Sequence, residues 1–87
     1  MNGSLVYSAT NVASTDGVIS IGHHTSALYL WNKSNTTSAI VLLNGKHQVA
    51  VPHTADQGSH IYHVIPGDYT TIEIITASCP FALYAIG

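Results

Sequence analysis

Residues 37–51 read TSAIVLLNGKHQVAV, two apolar runs on either side of an Asn-Gly pair. Asn44-Gly45 suits a type I′ turn because both residues tolerate positive φ angles, and a two-residue loop of this kind fixes the register of the flanking strands. The stretch therefore predicts a β-hairpin. The predicted pairs are Leu43 with Lys46, Leu42 with His47, and Ile40 with Val49. The residues expected on its core face are Ile40, Leu42, Val49 and Val51.

The rest of the chain repeats this pattern of short apolar runs, rich in β-branched or aromatic residues and bounded by turn formers. No window shows a sustained helical period with caps. The sequence therefore predicts a single all-β domain over residues 1–87, a small antiparallel β-sandwich of about eight short strands. The predicted strands are Leu5–Ala9, Val18–Ile21, Ala27–Trp31, Ser38–Leu43, His47–Val51, Ser59–Ile65, Thr70–Thr76 and Phe81–Ile86.

A second turn is predicted at Pro66-Gly67. The pair fits the central positions of a type II turn, because Pro presets φ and Gly accepts a positive φ. This turn is expected to connect the strand ending at Ile65 with the strand through Ile72 and Ile74.

The chain also contains a short imperfect repeat, which we call the internal echo. Residues 25–32 (TSALYLWN) and 37–44 (TSAIVLLN) share five identities in eight positions. Two copies are too few for a solenoid. We interpret them as neighbouring strands of a meander, joined through residues 33–36, with an evolved duplication as the alternative.

Charge is scarce, with 7% of the residues charged against about 25% in typical soluble domains. Nucleic-acid binding depends on Lys and Arg neutralising phosphates. Two basic residues and a net charge of −2 therefore argue against that function and against docking on an anionic membrane. A 9.2 kDa globule exposes roughly 4,900 Å², or roughly 800 Å² for each charge. The charged residues are Asp16, Lys33, Lys46, Asp56, Asp68 and Glu73.

Three predicted strands are apolar on both faces, namely Ala27–Trp31, Ser38–Leu43 and Phe81–Ile86. A strand with one solvated face alternates apolar with polar residues, and a chain this short can scarcely bury three strands on both sides. We therefore expect a partner chain over part of them, which makes the protein a subunit of a larger assembly. The residues predicted for this interface are Leu28, Tyr29, Trp31, Val41, Leu43, Phe81 and Tyr84.

Six histidines raise the question of a metal site. Ligands must converge on one point, whereas His60 and His63 point to opposite faces of their strand and the adjacent His23 and His24 diverge. No nucleophile stands in a recognisable frame with a base and an orienting acid. We therefore assign no catalytic, cofactor-binding or metal-ligating residue and expect no enzyme. An alternative role for the histidines is a pH-sensitive element at an interface.

The aromatic residues provide the alternative function. Their rings can form a stacking platform for sugars, with Asn, Asp and Thr supplying hydroxyl contacts. In a small sandwich the same residue types also serve as core or interface anchors. A carbohydrate-binding or adhesion module, associated with a tail or fibre, is therefore the alternative to an assembly subunit. The rings are those of Tyr7, Tyr29, Trp31, Tyr62, Tyr69 and Tyr84.

Three features of the sequence predict that the chain is synthesised in a reducing cytosol. Cys79 is the single cysteine, so no intramolecular disulfide is possible. Residues 1–10 hold no basic region followed by a long apolar run, so a signal peptide is not expected. The longest aliphatic run, Ala39–Leu43, is far too short for a membrane span.

In its size, its density of short strands and its neutral, Ser/Thr-rich composition, the whole chain resembles the small all-β decoration or cement proteins of tailed-phage capsids. The resemblance implies a jelly-roll-like sandwich and a homotrimer on the capsid exterior of the virion, with a coat or scaffold protein as partner. It also implies synthesis in the host cytoplasm and a role in bridging coat subunits. No nucleic acid, membrane or cofactor is expected as a partner.

Overall fold

The short apolar segments form eight strands in the computed structural model, which describes residues 4–34, 36–53 and 62–87. A 3₁₀ turn, Ser14–Asp16, lies between the first two strands. Within the described ranges there is no helix long and apolar enough to cross a membrane. The strands are β1 (Leu5–Val12), β2 (Val18–Ser20), β3 (Ala27–Asn32), β4 (Ala39–Leu43), β5 (His47–Val51), β6 (His63–Pro66), β7 (Thr71–Ile74) and β8 (Phe81–Ile86).

The strands build two four-stranded antiparallel sheets, with the order β1-β8-β3-β6 in sheet 1 and β2-β7-β4-β5 in sheet 2. The pairing is nested, because β1 pairs with β8, β2 with β7, β3 with β6 and β4 with β5. The first half of the chain therefore runs antiparallel to the second half, and the β4–β5 hairpin lies at the fold's midpoint. The predicted small antiparallel β-sandwich is confirmed.

The predicted strand boundaries are mostly close to the observed ones. His47–Val51 and Phe81–Ile86 match β5 and β8, whereas β1 continues beyond its predicted end to Val12. The remaining strands differ at one or both ends. The first three residues of the predicted strand Ser59–Ile65, residues 59–61, lie outside the described residues.

The core lies between the two sheets and takes alternate residues from their strands. Cys79 is buried in the same core, with its Sγ 3.7 Å from the Thr37 carbonyl oxygen. The central strands of both sheets supply most of the fully buried side chains. These are Leu28, Leu30, Phe81, Leu83 and Ala85 from sheet 1 and Ala39, Val41, Leu43, Ile72 and Ile74 from sheet 2.

The β4–β5 hairpin keeps the predicted turn residues but not the predicted register. Asn44 and Gly45 have φ angles of 55° and 76°, and the Lys46 N–H donates to the Leu43 carbonyl oxygen at 3.2 Å. Leu43 nevertheless pairs with His47. Lys46 is thus an extra residue in the turn, and the predicted pairing of Leu43 with Lys46 is wrong by one residue.

That shift also reverses the predicted face of β4. Ala39, Val41 and Leu43 are buried, while Ile40 and Leu42, which were expected in the core, are partly exposed. Every residue of β4 is apolar, so hydrophobicity does not distinguish its two faces, and a slip of one residue exchanges them. On β5 the core-facing positions stay as predicted, with Val51 buried and Val49 partly buried.

The two copies of the internal echo are not neighbouring strands. Residues 25–32 lead into β3 of sheet 1 and residues 37–44 into β4 of sheet 2, so the segment between them crosses from one sheet to the other. Equivalent positions face opposite ways, since Leu30 is buried and its counterpart Leu42 is partly exposed. The meander interpretation is therefore wrong.

The predicted type II turn at Pro66-Gly67 is also wrong. Pro66 ends β6 and pairs with Ala27, and the φ of Gly67 is 136°, far from the value of about 80° that a type II turn requires. The Gly67 N–H donates to the Ser26 carbonyl oxygen at 2.8 Å. The segment does connect β6 with β7, but it crosses to the second sheet instead of closing a hairpin.

Candidate interaction face

The outer face of sheet 1 carries a cluster of aromatic side chains. The alternation that buries one side of β3 turns Tyr29 and Trp31 outward, and the same alternation on β8 turns Tyr84 outward. Cross-strand pairing sets Tyr29 between Tyr84 and Val64. We call this surface the aromatic face and define it by Tyr29, Trp31, Tyr62, Val64 and Tyr84.

Tyr62 lies at the centre of the aromatic face. Its ring centroid is 5.5 Å from that of Tyr84, 6.1 Å from that of Trp31 and 6.4 Å from that of Tyr29, with the ring planes tilted by 58°, 68° and 66°. Burial raises the pKa of Tyr62, and a hydrogen bond with the Tyr84 side chain raises it further. Edge-on contacts of this kind stabilise an aromatic pair by about 0.5–1.5 kcal/mol beyond burial alone. The rings therefore hold one another in place.

The aromatic face is open to solvent at Tyr29, which is 37% exposed, and at Val64, which is 48% exposed. Trp31, Tyr62 and Tyr84 are partly buried. Ala82, which pairs with Trp31 on the same outer side, is buried. Part of the outer side of β8 is thus buried by residues of the same chain. From the sequence we expected a partner chain to bury this side.

Charge is absent from the strands of sheet 1, since β1, β8, β3 and β6 contain no Asp, Glu, Lys or Arg. Lys33 follows β3 at the border of the aromatic face, where its Nζ lies 5.3 Å from the centroid of the Trp31 ring. The same Nζ donates a hydrogen bond to the Thr10 carbonyl oxygen. Sheet 2 differs, because Glu73 lies on its outer face.

The structure brings together three of the seven predicted interface residues, namely Tyr29, Trp31 and Tyr84. The other four are fully buried between the sheets, so placing them on a surface was wrong. Strand alternation gives the reason, because neighbours such as Leu28 and Tyr29 must point to opposite sides. The four buried residues are Leu28, Val41, Leu43 and Phe81.

Two members of the aromatic face, Tyr62 and Val64, were not predicted as interface residues. A signal for Val64 is present in the sequence. It stands next to Ile65, which is buried, and an apolar residue beside a core residue in a strand must lie on the outer face. Tyr62 is two residues from Val64 and therefore shares its side of the chain.

Asp68 and Thr25 join two loops at one end of the sandwich. The Thr25 N–H donates to Oδ1 of Asp68 at 3.0 Å, and Nδ1 of His24 lies 2.7 Å from Oδ2. The Thr25 hydroxyl donates to the Gly67 carbonyl oxygen at 2.8 Å and accepts the Tyr69 N–H at 2.7 Å. The hydroxyl and the carboxylate thus tie the loop before β3 to the loop before β7.

Asn44 ties the β4–β5 turn to the same end. Its Oδ1 accepts the Thr70 N–H at 2.8 Å, and its Nδ2 donates to the Asp68 carbonyl oxygen at 3.1 Å. Its own N–H donates to the Thr71 carbonyl oxygen at 3.0 Å. These contacts give the polar groups an architectural role in connecting loops.

The other histidines among the described residues do not form a metal-binding group with His24 and Asp68. His23 and His47 are exposed, and the His47 ring stacks on Tyr69 with a centroid distance of 6.4 Å and an angle of 11°. His60 lies outside the described residues. In the described part of the chain, no three His, Cys, Asp or Glu side chains are grouped in a way that could hold a metal ion.

The stability of the protein is expected to depend on Asp68 in acid. The hydrogen bond from the Thr25 N–H, followed by the one from His24, lowers the pKa of Asp68 below its ordinary value of 3.8. A lowered pKa contributes stability that is present above the unfolded value and lost as the pH falls through the folded one. Asp68→Asn should therefore flatten the fall in unfolding free energy as the pH drops below the ordinary aspartate value of 3.8.

Chemical denaturation at several pH values measures this effect. Glu73→Gln is the matched control, because it removes a carboxylate from the outer face of sheet 2 and leaves the Asp68 contacts intact. Identical acid profiles for wild type and Asp68→Asn would show that the Asp68 contacts add no acid-dependent stability.

Comparisons with models of known protein families, with curated proteins and with solved structures found no significant match. The aromatic face and the nested strand pairing are therefore the features from which a function can be inferred.

Proposed function

We propose that the protein is a non-enzymatic structural subunit of a multimeric assembly, in which the aromatic face is buried against a neighbour. The observation that carries this proposal is the uncharged ring cluster, partly exposed on the outside of sheet 1. Interface centres are enriched in Tyr and Trp and depleted of charged residues. Rings that are already packed together also lose little side-chain freedom on binding, which favours association.

We further propose that the sandwich is a jelly roll. Support comes from the nested pairing, in which an antiparallel ribbon made of the two halves of the chain wraps so that β1 to β4 alternate between the sheets. Jelly rolls occur in viral capsid proteins and in lectin domains. The fold is thus compatible with an assembly subunit and with a carbohydrate-binding module, and it does not discriminate between these two functions.

The assembly that we propose is a viral capsid, with the protein acting on the outside of the virion as a decoration or cement protein beside a coat protein. The small size, the neutral composition and the uncharged face support this proposal. Such a protein stabilises a shell by burying area between neighbours. An interface of about 800 Å² per partner would cover roughly one sixth of the 4758 Å² that this chain exposes.

A carbohydrate-binding module is the second candidate, and the exposure of Tyr29 favours it. Two observations count against it. The rings of Tyr29, Trp31 and Tyr84 are tilted by 58° to 68° to the Tyr62 ring, so none of them extends the plane of the Tyr62 ring into a wider platform for a sugar. Tyr7 packs against the core, and Tyr69 stacks on His47. The aromatic residues thus do not form one platform.

The mass in solution tests the proposed function. Light scattering between about 1 and 100 µM should give a mass that exceeds the 9.2 kDa of one chain and rises with concentration, as mass action requires. A glycan array should show no saturable binding. A monomer over the whole range would contradict the proposal, and a monomer that binds a sugar saturably would establish the second candidate in its place.

A further inference from the structure

We infer that the aromatic face binds a second copy of this chain about a two-fold axis. The inference rests on the proposed function, because it names one partner within the assembly. It also replaces the three-fold arrangement that the resemblance to decoration proteins implies. A surface patch that contacts its own copy closes the assembly at two chains.

The absence of charge from sheet 1 favours the chain itself as the partner. Near a two-fold axis each residue meets its own copy or a close neighbour of that copy. A charged residue there would face a like charge at a cost of several kcal/mol. The strands of sheet 1 hold no such residue, and the Lys33 Nζ is held at the border by the Thr10 carbonyl oxygen.

The outer face of sheet 2 provides the contrast. Strand pairing places Glu73 between Val18 and Leu42 in the middle of that face, with Gln48 beyond Leu42. A two-fold contact through sheet 2 would bring two Glu73 carboxylates towards each other. Exposed apolar residues occur on both sides of the sandwich, but among the described strands those of sheet 1 contain no Asp, Glu, Lys or Arg, so this face is the one suited to self-association.

The area of one broad side of the molecule is large enough for the interface of a stable dimer. The molecule measures 35 × 25 × 19 Å, and two sheets packed about 10 Å apart lie across the short dimension. The broad side spans roughly 900 Å², close to the roughly 800 Å² that each partner contributes to an interface of standard size. One broad side, with the loops that border the strands, therefore supplies enough surface.

Tyr29 and Val64 are the contacts expected to matter most. They are directly paired across β3 and β6 and are the most exposed members of the aromatic face. The Tyr62 ring contacts the Tyr29 ring and is itself in contact with the Tyr84 ring, so these two tyrosines support Tyr29. Tyrosines near the centre of an interface are typical of the few residues that carry most of its affinity, and Val64 adds apolar area beside Tyr29.

Two lysine substitutions at matched positions test the inference. Val64→Lys places a charge on the aromatic face, and Val18→Lys places the same charge on sheet 2 at a valine that is 64% exposed. Sedimentation equilibrium of the wild type should give a dimer. Val64→Lys should raise its dissociation constant at least about 100-fold, because two like charges are buried, and Val18→Lys should leave it within about threefold.

Circular dichroism and thermal unfolding establish that both variants fold, and Tyr29→Lys serves as a second variant on the same face. A dimer that survives Val64→Lys and Tyr29→Lys, or one that Val18→Lys disrupts equally, would overturn the inference. A wild-type trimer would overturn the two-fold arrangement while leaving the proposed assembly function intact. A wild-type monomer at all concentrations would contradict the assembly function itself, so the two failures are distinguishable.

Discussion

Replacing Leu43 with alanine is expected to lower the free energy of unfolding by about 2–5 kcal/mol, as for other leucines truncated in a tightly packed core. Leu43 is completely buried and packs where β4 meets β7 and β5. For a domain of this size each kcal/mol corresponds to about 4–8 °C in Tm. Thermal and urea-induced unfolding followed by circular dichroism measures the effect.

Leu42 is the matched control for this prediction. It is the same residue type, one position away and on the outer face of sheet 2, where it is partly exposed. Leu42→Ala should cost about 1 kcal/mol or less. The pairing predicted from the Asn-Gly turn implies the reverse order, because it puts Leu42 in the core. A larger loss for Leu42→Ala than for Leu43→Ala would therefore contradict the observed register.

Replacing Asn32 with alanine is expected to cost about 2–4 kcal/mol, because buried carbonyl groups lose their donor. Asn32 is 1% exposed at the end of β3. Its Nδ2 donates to the carbonyl oxygens of Thr37 at 2.9 Å and Val51 at 3.1 Å. Its Oδ1 accepts the Ser34 N–H at 3.0 Å. The Asn32 side chain thus links the segment that connects sheet 1 to sheet 2 with the end of β5.

Two further variants separate this effect from a general sensitivity of the chain. Asn32→Asp keeps an acceptor for the Ser34 N–H but removes the donor, so it should destabilise the protein at least as much as alanine. Asn11→Ala removes an exposed amide from β1 and should change the unfolding free energy by no more than about 0.5 kcal/mol. An Asn32→Ala protein with wild-type Tm would show that the two carbonyl groups find other donors.

The fold class and most strand positions could be predicted from the sequence because they depend on local signals. Runs such as His47–Val51 and Phe81–Ile86 are bounded by turn formers, and alternation or β-branching marks them as strands. The partition of these strands into two sheets is not local. It depends on β8 reaching back between β1 and β3, and short sequence patterns carry no information on such a pairing.

The faces of the doubly apolar strands could not be predicted for a related reason. In β4 every residue is apolar, so only the neighbouring strands determine which side is inside. The internal echo shows this directly, because similar sequences present opposite faces to the core. Leu28 and Phe81 stand in doubly apolar strands, where composition alone does not separate the inner side from the outer side, whereas Tyr29, Trp31 and Tyr84 share the outer face.

The nested strand pairing has a consequence for synthesis on the ribosome. β8 is translated after β1–β7, yet it lies between β1 and β3 and pairs with both. Sheet 1 therefore cannot be completed until residues 81–86 have been made, and until then β1 and the edge of β3 that faces β8 have unpaired backbone groups. Such uncharged segments can pair with other chains in that interval. The yield of native protein should thus depend on how soon residues 81–86 are translated after β1 and β3.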